Sequence, residues 1–215
     1  MAKTASKLEK TVQKIIAVLD EKEKRQDKVL ALSREIIRDS ARAIKDIHLD
    51  EAAEAKKAVA ALDEKMKEMR KIDEGFRHIS NNCYQEYAEI KSLYALLQRK
   101  ELPSYEELGI DYIPYLTGLA DTVGELRRQI QLALRSEKKE DAEYFFNRMN
   151  EIYENLMTIK YSSSLVGSKA QAGCHPRATG AVAQRDAQGL SQNEKLGFLF
   201  FRVFRGRSGA LRRAC

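Results

Sequence analysis

Residues 83–97 read CYQEYAEIKSLYALL, with no Gly or Pro and with apolar side chains returning every three or four positions. At about 100° per residue, Glu86 leads into Ile90, Leu93 and Leu97, and Glu89 leads into Leu93 and Leu96. Both acids therefore stand in line with an apolar helical stripe. A carboxylate at the edge of a core must be protonated, paired or bound to a cation, because an unpaired buried charge is strongly unfavourable. Spacing alone leaves two readings of the pair open: a solvated helix end, or a packed face carrying a functional acidic pair.

Upstream, the chain from Ser6 to about Ile47 lacks both Gly and Pro. Apolar residues recur at Leu8, Val12, Ile15, Ile16 and Leu19, and again at Val29, Ile36, Ile37, Ile44 and Ile47. This predicts one very long helix, with the charged run 21–28 as the place for a kink. In its second half Arg34, Arg38, Arg42 and Lys45 share one side, away from the apolar stripe. They form either a basic rail for phosphates or a solvated face neutralised by Glu35, Asp39 and Asp46. Asp50 is the expected N-cap of a second helix over residues 51–70, packed through Ala55, Val59, Leu62, Met66 and Met69. Gly75 marks a bend before the next helix. His78 has no companion at metal-ligand spacing.

Downstream, Ser104 to Glu107 has the form of a capping box, and Gly109 stops a single short turn. Asp111 is the expected cap of a helix from Tyr112 to about Leu134, whose first turn tolerates Pro114 because the donor lost there has no helical acceptor. Its stripe is Leu116, Leu119, Val123, Leu126 and Ile130, with Asp121 and Glu125 on the other side. The small residues Gly118, Ala120 and Gly124 would admit another backbone. After a polar connector over 136–141, helical periodicity resumes from Ala142 to Ile159 and then collapses.

Composition narrows the class. The 215 residues are 33% charged and 43% hydrophobic, with three Pro and no Trp, which reads as helical and folded. No apolar run approaches the ~20 residues of a membrane span, and the Lys-rich start lacks a signal-peptide core, so a cytoplasmic protein without membrane association is expected. Cys83, Cys174 and Cys215 lie far apart, and neither a zinc site nor a disulfide framework is expected. The net charge is +6, but residues 162–215 hold nine Lys/Arg against only Asp186 and Glu194, so residues 1–161 are close to neutral.

Taken together, LSREIIRDSARAIKDIH (32–48), QEYAE (85–89) and DYIPYLTGLADTVGELRR (111–128) resemble the translin family, and more closely its translin-associated factor X (Trax) branch as found in archaea. The resemblance spans roughly residues 5–161. It implies an all-α, translin-like multi-helix bundle of about seven helices, assembling into an octamer or related homo-oligomeric shell that binds single-stranded RNA or DNA. For the Trax branch it implies a Mg²⁺-dependent endoribonuclease. Glu86, Glu89 and Asp121 then map onto the catalytic, metal-binding acids, with Glu125 a neighbouring metal ligand. Oxygen donors of this kind suit a hard cation. The resemblance also makes Arg34, Arg38, Arg42 and Lys45 nucleic-acid contacts. The alternative within the family is a binding module, like translin itself, that holds single-stranded nucleic acid without cutting it.

The family's last helix is not visible after Tyr161. Residues 1–161 are thus read as the helical domain and 162–215 as an irregular basic tail. Codons allowed for KAQAGCHPRATGAVAQRDAQ, from Lys169, can be read one nucleotide later as RRKQDVIRGLLERLRSVTLK, a basic and then amphipathic helical sequence. The tail is accordingly expected to be the product of a reading-frame shift, and KLGFLFFRVFRGR within it an aggregation hazard.

Overall fold

The structure, a computed structural model, describes residues 6–161, all of whose regular elements are helical. There are six helices among the described residues: α1 (Lys7–His48), α2 (Ala52–Ile72), α3 (Arg77–Leu97), α4 (Tyr105–Leu108), α5 (Tyr112–Arg135) and α6 (Lys139–Met157). The chain divides into two compact units, Met1–Tyr87 and Ala88–Cys215, and the division falls inside α3. The tail expected to be irregular lies outside the described residues.

In the first unit, α1 starts where a complete capping box places it. The Ser6 hydroxyl accepts from the Glu9 amide and the Glu9 carboxylate accepts from the Ser6 amide, both at 3.1 Å. The helix then runs through the charged stretch 21–28 without interruption, so the expected kink is absent. Its i, i+3 and i, i+4 ion pairs, such as Lys24 with Glu21, are compatible with straight helix. Asp50 does not cap α2. It takes φ +61 in the turn, a conformation Asp tolerates better than most residues, and Glu51 occupies the N-cap position without a side-chain cap bond.

α1 and α2 form a hairpin. Val29, Ile36, Ala43 and Ile47 of α1 are buried, as are Ala55, Val59, Leu62, Met66 and Met69 of α2. Each fully buried large side chain contributes on the order of 1.5–3 kcal/mol. Lys65 of α2 clamps the pair by donating to Glu35 at 2.9 Å and Asp39 at 2.8 Å. The hairpin ends at Arg25, which donates to the Glu74 carbonyl at 2.9 Å and stacks 5.0 Å from the centre of the Phe76 ring. Gly75, at φ +79, makes the bend between α2 and α3 as its position in the sequence implies.

In the second unit, α4 has both bonds of its capping box, and Gly109 ends it in the left-handed conformation at φ 62. Asp111 does precede α5, but its side chain makes no cap bond. Leu119, Val123, Leu126 and Ile130 are buried, and Leu116 is half-buried. A short turn with Glu137 at φ 57 leads into α6, which begins at Lys139. The polar stretch 139–141 is therefore the first turn of α6, where Glu140 and Asp141 suit the positive end of the helix dipole. Arg99 stacks 3.7 Å from the Tyr144 ring centre and pairs with Asp141, and the Tyr144 hydroxyl donates to the Leu96 carbonyl at 3.1 Å, which ties the end of α3 to α6.

Candidate functional site

α3 buries one acid of its pair and leaves the other at the margin. Glu89 is 7% exposed and Glu86 is half-buried, so the open choice between a solvated helix end and a packed face falls to the packed face for Glu89. The cause is register: Glu89 is flanked by Ala88, Ile90, Leu93 and Leu96, all fully buried. One turn further on, Ser92 is also fully buried, and its hydroxyl finds no hydrogen-bond partner among the described residues.

α5 meets α3 at this level. Thr122, fully buried, donates to the Gly118 carbonyl at 2.8 Å, and its oxygen lies 3.5 Å from the Glu89 carbonyl. Gly118, Thr122, Glu125 and Gln129 repeat at steps of four, three and four, so they share one face of α5. Gly118, Thr122 and Gln129 are buried and Glu125 is half-buried, whereas Asp121 stands about 60° from the centre of that face and is exposed. The structure therefore sets Glu125, rather than Asp121, on the face that carries the α3 contact. Gly124 lies on the exposed side, where a Cβ would meet nothing within 4 Å, so it is not the place of close backbone approach.

The donor set of Glu86, Glu89, Asp121 and Glu125 is all oxygen, the chemistry a hard divalent cation prefers. Among the described residues, however, no three His, Cys, Asp or Glu side chains are gathered closely enough to hold a metal ion. Each of these four acids already takes part in a polar or electrostatic interaction. The chemistry of the set fits, and a cation would enter by exchange with existing contacts.

The neighbouring ionisable side chains of α3 are held neutral. Burial, followed by the hydrogen bond to Asp63 at 2.7 Å, pushes the Tyr87 phenol up. Burial, followed by the charge of Asp73, does the same to Tyr84. Burial pushes the Cys83 thiol up to about 11, so none of the three is a ready nucleophile or base near neutral pH. Asp73 itself, which sequence reasoning passed over, is fully buried, accepts from the Ser80 hydroxyl at 2.6 Å and pairs with Arg77 at 3.4 Å. Its place just before α3 favours a negative charge at the helix N-terminus. Ser92, Thr122 and Gln129 were also passed over, although their helical spacing from Glu89 and Glu125 was the available signal.

The rail residues Arg34, Arg38, Arg42 and Lys45 are all exposed on α1. Two of the acids that could have neutralised them, Glu35 and Asp39, are turned to Lys65. Arg42 keeps a long contact to Asp39 at 3.9 Å, and Arg34, Arg38 and Lys45 make no ion pair with a described residue. His78 is exposed on α3, and no helix among the described residues is long and apolar enough to cross a membrane.

No family model matches the chain. The protein MJ0175 of Methanocaldococcus jannaschii is 35% identical over 153 residues, covering 68% of this chain and 68% of its own length. The crystal structure of AfC3PO is 26% identical, with a TM-score of 0.67 over 83% of this chain and 98% of its own. The AfC3PO–duplex RNA complex superposes with a TM-score of 0.71 at 22% identity, over 94% of this chain and 98% of its own. Apo-NeC3PO superposes at 0.70 with 19% identity, over 90% and 95% respectively.

Proposed function

We propose, from the premise that this chain belongs to the translin family in its archaeal form, that it is a nucleic-acid-binding protein that cleaves single-stranded RNA within a homo-oligomer. The observation that carries the binding half is the exposed rail of α1, whose neighbouring acids are occupied by Lys65. Guanidinium groups left in water in this way are suited to phosphate, and the affinity they supply does not depend on base sequence. The cleavage half is supported by Glu89, an acid held inside the helical packing where α3 meets α5.

Glu86, Glu89 and Asp121 are the proposed Mg²⁺ ligands, with Glu125 as a further ligand favoured by its face of α5. When bound, Mg²⁺ would supply an activated water and neutralise charge on the phosphate. The residues around it exclude bulk water: Ile90, Leu93 and Leu126 are fully buried, and Ser92 and Thr122 offer hydroxyls inside that apolar packing. A second reading, a translin-like module that binds without cutting, is favoured by the existing contacts of all four acids.

The test is incubation of the full chain with labelled single-stranded RNA, duplex RNA and single-stranded DNA, each in Mg²⁺ and in chelator. Cleavage of single-stranded RNA in Mg²⁺ alone is the expected result. Binding of all three with no cleavage would transfer the protein to the second reading. Because AfC3PO has been solved with duplex RNA, faster cutting of the duplex would keep the nuclease and overturn its single-strand preference. An assembly of eight copies is proposed on the family resemblance, and light scattering counts them.

A further inference from the structure

α1 is far longer than the helix it packs on. α2 meets it only as far as Arg25, and residues 7–24 project beyond that point by about 27 Å at 1.5 Å per residue. Every residue from 6 to 28 is exposed. An unsupported helix of that length is marginal in water, so its stability requires a partner on its apolar side.

That side is the continuation of a seam already used within the chain. Val29, Ile36, Ala43 and Ile47, with the small buried residues Ser33 and Ser40 between them, follow steps of four and three along α1 and are covered by the hairpin. Leu8, Val12, Ile15 and Leu19 follow the same steps in the same phase, and there Leu8 is 73% exposed, Ile15 53% and Leu19 56%. A seven-residue repeat held across both halves is the pattern of a helix that packs along its whole length. Charge supplies the identity of the missing helix. Lys7, Lys10 and Lys14 outweigh Glu9 on one side of Ile15, and Asp20, Glu21 and Glu23 outweigh Lys22 on the other. The segment is therefore complementary to itself when reversed, which is the requirement of a two-fold, isologous contact.

We propose that residues 7–24 of α1 pair antiparallel with the same residues of a second copy of this chain, about a two-fold axis near Ile15. In that arrangement Lys10 faces Asp20 of the partner subunit. The contact does not rest on the proposed nuclease activity.

Light scattering of the full-length protein tests it, with far-ultraviolet circular dichroism as a check on folding. Ile15→Glu and Leu19→Glu touch nothing within the chain and leave its fold unstrained, so each is expected to lower the solution mass by about twofold. Lys10→Glu should weaken self-association, and Lys10→Glu combined with Asp20→Lys should restore it. An Ile15→Glu protein with the mass of the wild type, or a double charge exchange that restores nothing, overturns the pairing. So does a wild-type protein whose mass falls on removal of residues 162–215 but not on Ile15→Glu, since the tail would then cover the stripe.

Discussion

α1 and α3 treat their charged residues in opposite ways. Arg34, Arg38, Arg42 and Lys45 stand in water on α1, while Glu89 of α3 is 7% exposed among Ile90, Leu93 and Leu96. The same two helices are alike in length per turn, periodicity and apolar content, so the difference lies in what each must do. A cation that grips phosphate has to be reachable and gains strength by releasing counterions. An acid that takes part in chemistry gains from a fixed position and from the exclusion of water, at the cost of desolvation. Exposure on α1 thus marks binding, and burial on α3 marks the candidate reaction site.

The largest effect should separate these two roles outright. Glu89→Gln keeps the shape of a buried side chain and removes only its charge, so cleavage should fall by about a hundredfold or more, the scale of a lost preorganised group. RNA affinity, measured by filter binding, should stay within about twofold, because the backbone contacts are untouched. Equal losses in both quantities would mean that Glu89 merely holds the fold. The converse change, Arg34→Gln with Arg38→Gln and Arg42→Gln, should weaken binding of every sequence by roughly tenfold or more and reduce the salt dependence by up to about three slope units. A slope equal to that of the wild type would make the rail a solvated face.

The next comparison lies within α5. Glu125 shares the face of Thr122 and Asp121 does not, so Glu125→Gln should depress Mg²⁺-dependent cleavage several-fold more than Asp121→Asn. The reverse order would restore the assignment read from the family motif. A smaller effect is expected at Lys65, which occupies Glu35 and Asp39. Lys65→Met releases both acids toward Arg38 and Arg42, and RNA binding should weaken about two- to threefold at low salt with little change at high salt.

The smallest effect concerns Cys83, whose buried thiol is pushed up to about 11. A folded-state value above the unfolded one, about 8.5, stabilises the fold fully below the unfolded value, and this contribution is lost as pH rises toward 11. Cys83 should therefore resist alkylation near pH 8 in the folded protein, and Cys83→Ala should flatten the fall in melting temperature between about pH 8.5 and 11. Rapid alkylation of the folded chain at pH 8 would contradict the burial of α3 at this point.

The elements themselves were legible. A run of forty-odd residues without Gly or Pro could only be one helix, and the boxes at Ser6 and Ser104 and the glycines at 75 and 109 fixed starts, stops and bends through local backbone chemistry. Where local signals compete, legibility failed: Asp50 suited either a cap or a left-handed turn, and the hairpin geometry selected the turn. The family residues at Glu86, Glu89 and Asp121 were likewise found by motif, which reports ancestry and not position.

What the sequence determined by itself was therefore the helices, their apolar faces and the family, because those follow from periodicity and from short-range bonds. Only the tertiary structure decided which charges are hidden. Lys65 draws Glu35 and Asp39 away from the rail across thirty and twenty-six residues, Thr122 comes to the Glu89 carbonyl across thirty-three, and Glu125 thereby gains on Asp121. Desolvation and pairing are properties of residues brought together from distant parts of the chain, and helical periodicity along one segment carries no record of its neighbours.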